Sequence, residues 1–153
     1  MPAAPLLMTI AEVSAFVTEQ FPQSEGMAKV DHIEPGCVVC RRSVTGANLR
    51  PGGTVSGPTM MALADTAAYF LVLVSVGPVE LAVTSELSIR FLRKPRPTDL
   101  IATARTLRLS KRQLVCTIEI HSEGEPDPVA HVTATYAIPP GQPGDRRTEP
   151  VAS

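Results

Sequence analysis

The residues with the most chemical promise lie in one short stretch. From Thr59 to Val76 the chain is almost wholly apolar, and its one acid is Asp65. A carboxylate in such surroundings can serve as a general base for water or as a nucleophile. Just upstream, Ser56-Gly57-Pro58 opens the stretch. Proline suits the first turn of a helix, where its missing N–H costs nothing. The other N–H groups at a helix start are unpaired and sit at the positive end of its dipole. The Gly57 N–H can therefore polarise a carbonyl, and the lack of a side chain lets a ligand come close. Pro58 cannot donate. Each oxyanion donor can be worth roughly 2.7–4 kcal/mol, so this loss counts. Asp65 lies too deep in the helix to be its cap. At 1.5 Å per residue it is about 12 Å along the axis from Gly57. One helix does not bring both groups to one carbonyl, whereas two antiparallel helices facing across a dimer can. A structural acid bonded to a buried hydroxyl or backbone group is the plainer alternative. Either role requires partners, because an unpaired buried carboxylate is costly; Thr66 and Thr84 are the nearest candidates.

Other residues carry weaker signals. Met60 and Met61 could line an apolar pocket, since thioethers adapt to varied shapes, or could simply pack in a core. Arg90, Arg93, Lys94 and Arg96 form the best basic cluster. It suits phosphate groups, or else is a solvated strand end. His32, His121 and His131 are scattered, with no two at metal-ligand spacing, and are read as non-catalytic. Cys37-Val-Val-Cys40 has the spacing of zinc and redox sites, but no second pair follows and the two valines read as strand. No metal site is expected. Pro51-Gly-Gly53 lacks the spacing and the lysine of a phosphate-binding loop.

The elements that must position these groups can be read from periodicity. Thr9-Ile-Ala-Glu12 is a capping box, and Ile10, Val13, Phe16 and Val17 follow at helical spacing. A helix is expected over 10–20, ended by Pro22. Two short strands are expected at about 27–32 and 38–44, then a loop over 47–58 and a long helix over 59–76, stopped by Gly77-Pro78. After that the period changes to two. Four strands are expected at about 81–92, 100–109, 113–122 and 129–138. Leu114, Cys116, Ile118 and Ile120 form one face, as do Ala130, Val132, Ala134 and Tyr136, and these faces are expected to be buried. Residues 1–26 form a lead-in and helix, 27–139 the main domain, and 140–153 a Pro-, Gly- and charge-rich tail expected to be disordered.

At 153 residues the chain fits one domain with a core that needs no staples. A net charge of −1 argues against general nucleic-acid binding. The first ten residues lack the cationic region of a secretory leader, so a cytoplasmic protein is expected. The long helix is barely long enough to span a bilayer. Its Asp65 would cost roughly 2.5–3.5 kcal/mol at the centre. A helix apolar on all sides is better buried in a soluble core, so no membrane partner is expected. The implied architecture is α+β, an antiparallel sheet wrapped around one long central helix, with edges that a second copy could cover.

Asn48, the run Gly53-Thr-Val-Ser56-Gly57-Pro58 and the phrase Ala62-Leu-Ala-Asp65-Thr-Ala-Ala68 resemble the hotdog-fold thioesterases, especially the PaaI-like acyl-CoA thioesterases. The strand Val83-Thr-Ser-Glu-Leu-Ser-Ile-Arg-Phe-Leu92 is similar to the one that follows the helix in that family. The likeness covers about residues 27–139. It implies the hotdog fold and hydrolysis of acyl-CoA thioesters without metal or organic cofactor. Asp65, Gly57, Asn48 and Ser56 would be the catalytic set. Thr84, Met60, Met61, Arg90, Arg93 and Lys94 would bind substrate. Each site would take Asp65 from one subunit and Gly57 from the other, in a dimer or a dimer of dimers. Ser56 stands where the family usually has His, Pro58 where it has a second Gly, and the loop from Asn48 is about two residues longer. These departures raise an alternative, a non-catalytic acyl-CoA-binding hotdog protein. A hydratase is disfavoured, because that chemistry pairs His with an acid and no His lies between Glu34 and Ile120.

Overall fold

The computed structural model describes residues 4–24 and 26–140, so the expected tail lies almost wholly outside the described residues. Thr9 starts the first helix, α1 (Ile10–Gln20), by the expected reciprocal cap. Its hydroxyl accepts from the Glu12 N–H at 3.1 Å, and the Glu12 carboxylate accepts from the Thr9 N–H at 3.1 Å. A 3₁₀ turn at Pro22–Ser24 follows. The remaining elements are β1 (Lys29–Glu34), β2 (Cys37–Arg42), α2 (Gly57–Val76), β3 (Val83–Phe91), β4 (Leu100–Leu109), β5 (Gln113–Ser122) and β6 (Ala130–Ala137).

Five of these elements differ from their expected bounds by one or two residues at one end or both, two of them for clear local reasons. β1 runs on to Glu34 because the turn to β2 is only Pro35-Gly36, with Gly36 at φ 75°. α2 starts at Gly57 because Ser56, at extended φ and ψ, is its cap. A second 3₁₀ turn, Gly46–Asn48, interrupts the loop before it.

The six strands form one antiparallel sheet in the order β1-β2-β4-β5-β6-β3. The period-two reading holds on its inner face: Leu114, Cys116, Ile118, Ile120, Ala130, Val132 and Ala134 are all 0% exposed. α2 lies against that face and contacts β2, β4, β5, β6 and β3. This is the wrapped-helix architecture expected of a hotdog fold. α2 is long and apolar enough to cross a membrane by length and composition, but it is mostly buried inside the fold.

The burial of α2 is uneven. From Phe70 to Val76 every residue is buried. The N-terminal half keeps an open face, with Met61 exposed and Asp65, Thr66 and Tyr69 half-buried. The C-terminal half is enclosed by the chain's own start. Met8 and Val13 join the core, and the Leu7 N–H donates to the Val74 carbonyl at 2.8 Å. That bond satisfies one of the carbonyls that a helix end leaves free. Gly77, at φ 95°, donates to the Leu73 carbonyl at 2.9 Å.

Cys37, Cys40 and Cys116 are free and buried. Burial pushes the Cys40 and Cys116 thiols up to about 12. Among the described residues no cluster of His, Cys, Asp or Glu could hold a metal ion.

Two outcomes are expected. Leu71 is fully buried in the middle of α2, so Leu71→Ala lowers stability by about 2–5 kcal/mol in denaturant unfolding. Because the thiolate is the reactive form, Cys40 and Cys116 stay silent toward a disulfide reagent at pH 8 and react only when the protein is unfolded.

Candidate active site on the open face of the central helix

The apolar sequence of α2 leaves Asp65 at the border between its enclosed and open halves. The carboxylate is held from the sheet side. Thr84 on β3 donates its hydroxyl to Asp65 Oδ1. Tyr136 on β6 donates to the same oxygen at 2.9 Å and lies 3.1 Å from the Asp65 backbone carbonyl oxygen. Two hydroxyls thus converge on Oδ1. The arrangement fixes the carboxylate plane and leaves Oδ2 without a protein donor among the described residues. Tyr136 is 4% exposed. Burial, and then the nearby Asp65 charge, push its hydroxyl well above the usual phenol range. It therefore stays protonated and a donor.

A β-bulge aims Thr84. In the pairing of β3 with β6, Thr84 faces Tyr136 and Glu86 faces Thr135, so Ser85 is the extra residue. Beyond the bulge Leu87 pairs with Ala134 and Ile89 with Val132, both inward positions. Strict alternation from Leu87 back would turn Ser85 and Val83 inward and Thr84 outward. The inserted residue changes the parity, so Thr84 shares the inner face with Tyr136. Ser85 donates its own hydroxyl to the Thr135 carbonyl at 3.2 Å.

Gly57, Met61 and Asp65 follow at spacings of four and lie along one broad stripe of α2. The Gly57 N–H has no partner among the described residues. A Cβ built on Gly57 would stand 3.3 Å from the tip of the Phe91 ring, so Phe91, half-exposed at the end of β3, packs on this glycine. α2 and β3 thus run side by side from Phe91 beside Gly57 to Thr84 beside Asp65.

The remaining expected site residues fall in three groups. Ser56 is occupied by its cap: its Oγ accepts from the Thr59 N–H at 3.3 Å and lies 2.8 Å from the Thr59 hydroxyl. Asn48 is tied into its own turn, its Oδ1 accepting from the Thr45 N–H at 2.9 Å and lying 3.2 Å from the Thr45 hydroxyl. Its backbone carbonyl accepts from the Ser56 N–H at 2.8 Å. Both residues therefore shape the loop that delivers Gly57. Met60 belongs to the core at 3% exposure, while Met61 is 44% exposed on the stripe it shares with Gly57 and Asp65; adjacent helical positions point about 100° apart. Arg90, Arg93, Lys94 and Arg96 are all exposed. Arg93 donates to the Pro128 carbonyl at 2.7 Å, and Arg96 pairs with Glu125 at 3.1 Å. Thr66 donates to the Ala62 carbonyl one turn back and does not reach Asp65.

Tyr136 is the site residue that sequence reading missed. Its place on the buried face of β6 was legible, and a tyrosine on a fully apolar face was itself the signal, since a buried hydroxyl needs a partner.

Comparison with known proteins places these features in a family. The family model for the thioesterase superfamily matches residues 52–129, which contain Gly57, Asp65 and Thr84. The structure is similar to that of a candidate thioesterase from a Silicibacter species, at 44% identity over 90% of this chain and 96% of that one, with TM-score 0.83. A Thermus thermophilus protein matches at 30% identity over 77% and 97%, with TM-score 0.66. The fold is shared with the E. coli PaaI protein from the phenylacetic acid degradation operon, at 23% identity over 87% and 95%, with TM-score 0.74. Among curated proteins none matches the chain. With the wrapped helix, the sheet order and the family match in agreement, this chain belongs to the thioesterase superfamily and has its hotdog fold.

Proposed function

We propose that the protein hydrolyses acyl-CoA thioesters to the free acid and CoA, in a homodimer whose sites each combine Asp65 of one subunit with Gly57 of the other. The observation that carries this reading is the Asp65 carboxylate, held by two hydroxyls through Oδ1 with Oδ2 left open, on the same stripe as an unpartnered Gly57 N–H. Superfamily membership supports the reaction class.

Asp65 Oδ2 takes a proton from water, which attacks the thioester carbonyl, or Oδ2 attacks that carbon itself to give a mixed anhydride that water then cleaves. Either way the carbonyl oxygen gains charge, and the Gly57 N–H at the positive end of the partner's α2 stabilises it. The C–S bond breaks and the CoA thiolate is protonated as it leaves. The dimer is supported by the sheet. β3 is an edge strand, and Leu81, Val83, Phe91 and Leu92 in and beside it are 43–60% exposed. Pairing through this edge would cover them, and a dimer of dimers can be built from the same unit. Arg90 and Lys94, exposed on either side of Phe91 in the chain, are the proposed contacts for CoA phosphates. Three free buried cysteines suit the reducing cytoplasm.

One observation favours a second reading, an acyl-CoA-binding protein without turnover. Pro58 has no N–H, and the Ser56 hydroxyl is spent on the helix cap, so the oxyanion has fewer donors than a His-Gly-Gly start offers.

The test is CoA release from a panel of aliphatic and aryl acyl-CoAs, with wild type beside Asp65→Asn. Turnover lost by a factor of at least about 10³ in Asp65→Asn, with the oligomer intact, is expected. Binding without turnover across the panel moves the assignment to the second reading. Replacing Arg90 and Lys94 with Gln is expected to raise KM for CoA thioesters several-fold and leave kcat unchanged. Unchanged KM would remove these residues from the CoA contact.

A further inference from the structure

We infer that Tyr136 is a positioning residue for the reaction, its hydroxyl locking Asp65 in the orientation that presents Oδ2. The inference rests on the proposed thioesterase reading and adds a residue to it.

The chain has only two tyrosines, Tyr69 and Tyr136, and their rings lie 5.9 Å apart directly behind Asp65. Phe21, which ends α1, meets Tyr69 edge-on at 5.6 Å. An aromatic chain thus runs from the N-terminal helix to the back of the carboxylate. As a ring alone, Tyr136 does nothing for the core that Phe would not do, and Phe would bury no hydroxyl. That hydroxyl donates to the Oδ1 of Asp65, lies within reach of its backbone oxygen, and also interacts with the Thr84 hydroxyl. By reaching both Asp65 oxygens, it ties the side chain to the helix that carries it. Thr84 donates to the same Oδ1 from β3, the exposed edge strand. Tyr136 donates from the interior of the sheet, where β6 is paired on both sides. The Tyr69 hydroxyl is used elsewhere, donating to the Val79 carbonyl at 3.1 Å, so it does not compete for Asp65.

A packing role and a positioning role predict different kinetics. Steady-state hydrolysis by wild type, Tyr136→Phe, Thr84→Val and the double variant separates them, with melting temperature and oligomeric state measured on each. Tyr136→Phe is expected to lower kcat about 10- to 100-fold with KM within twofold, while the dimer persists. Because both hydroxyls hold one oxygen, the double variant is expected to lose clearly less than the product of the two single losses. A lowered melting temperature with kcat unchanged per folded dimer overturns the inference and leaves the thioesterase reading standing. So does a double variant whose loss equals that product. A wild type that hydrolyses none of the thioesters overturns both together.

Discussion

The constraint on which the structure depends is the burial of a twenty-residue helix with almost no polar surface. Such a helix cannot lie on the outside of a soluble protein, so the rest of the chain is arranged to cover it. The curved sheet encloses one side along its whole length. The chain's first residues and α1 close over the far end, where Leu7 bonds to the helix's last turns. Covering stops short of the N-terminal half, and the candidate site lies in the uncovered part. Asp65 stands at that border, half-buried, with its orientation set by two protein hydroxyls.

The site follows from how two strands deliver side chains to that border. β6 is a regular interior strand, so Tyr136 arrives by plain alternation behind three alanine or valine positions. β3 arrives by irregularity. Its bulge at Ser85 turns Thr84 inward beside Tyr136, and the two donors then meet on one carboxylate oxygen. A bulge here costs a ladder bond, which the Ser85 hydroxyl partly offsets by bonding across to Thr135. The backbone of the edge strand is thus shaped by the needs of one acid on the helix.

Most of the fold was legible because it rests on periodicity and caps. The capping box at Thr9 and Glu12, the wholly apolar run of α2 and the alternating faces of β5 and β6 each dictate their local structure strongly. Two of the four later strands have the expected bounds. What stayed hidden depends on contacts between distant segments. Sheet order cannot be read from strand signals alone, since β3 joins β6 at the edge instead of pairing with β4. Nor is the bulge visible: alternation in Val83–Phe91 is weak because Val83 to Glu86 are all exposed and only Leu87 and Ile89 are partly buried. At the site, Asp65 and Gly57 stood out by type and setting. Ser56 and Asn48 have their side chains engaged in local turns, which short polar residues commonly do. Tyr136 is separated from Asp65 by 71 positions, and only the folded sheet brings them together.

The two edges of the sheet are not alike. β1 carries Lys29, Asp31, His32 and Glu34 at exposed positions and is broken by its own bulge, features that discourage another strand from joining. β3 has a bulge as well, but it and its flanks set the apolar side chains of Leu81, Val83, Phe91 and Leu92 open to water. A sheet with two adhesive edges can add copies without end, as fibres do. One with a single adhesive edge joins once, through a twofold axis, and the union consumes the only edge available. In the proposed dimer that asymmetry would count copies: it would set the length of the continuous sheet at two chains and guard the protein against runaway polymerisation.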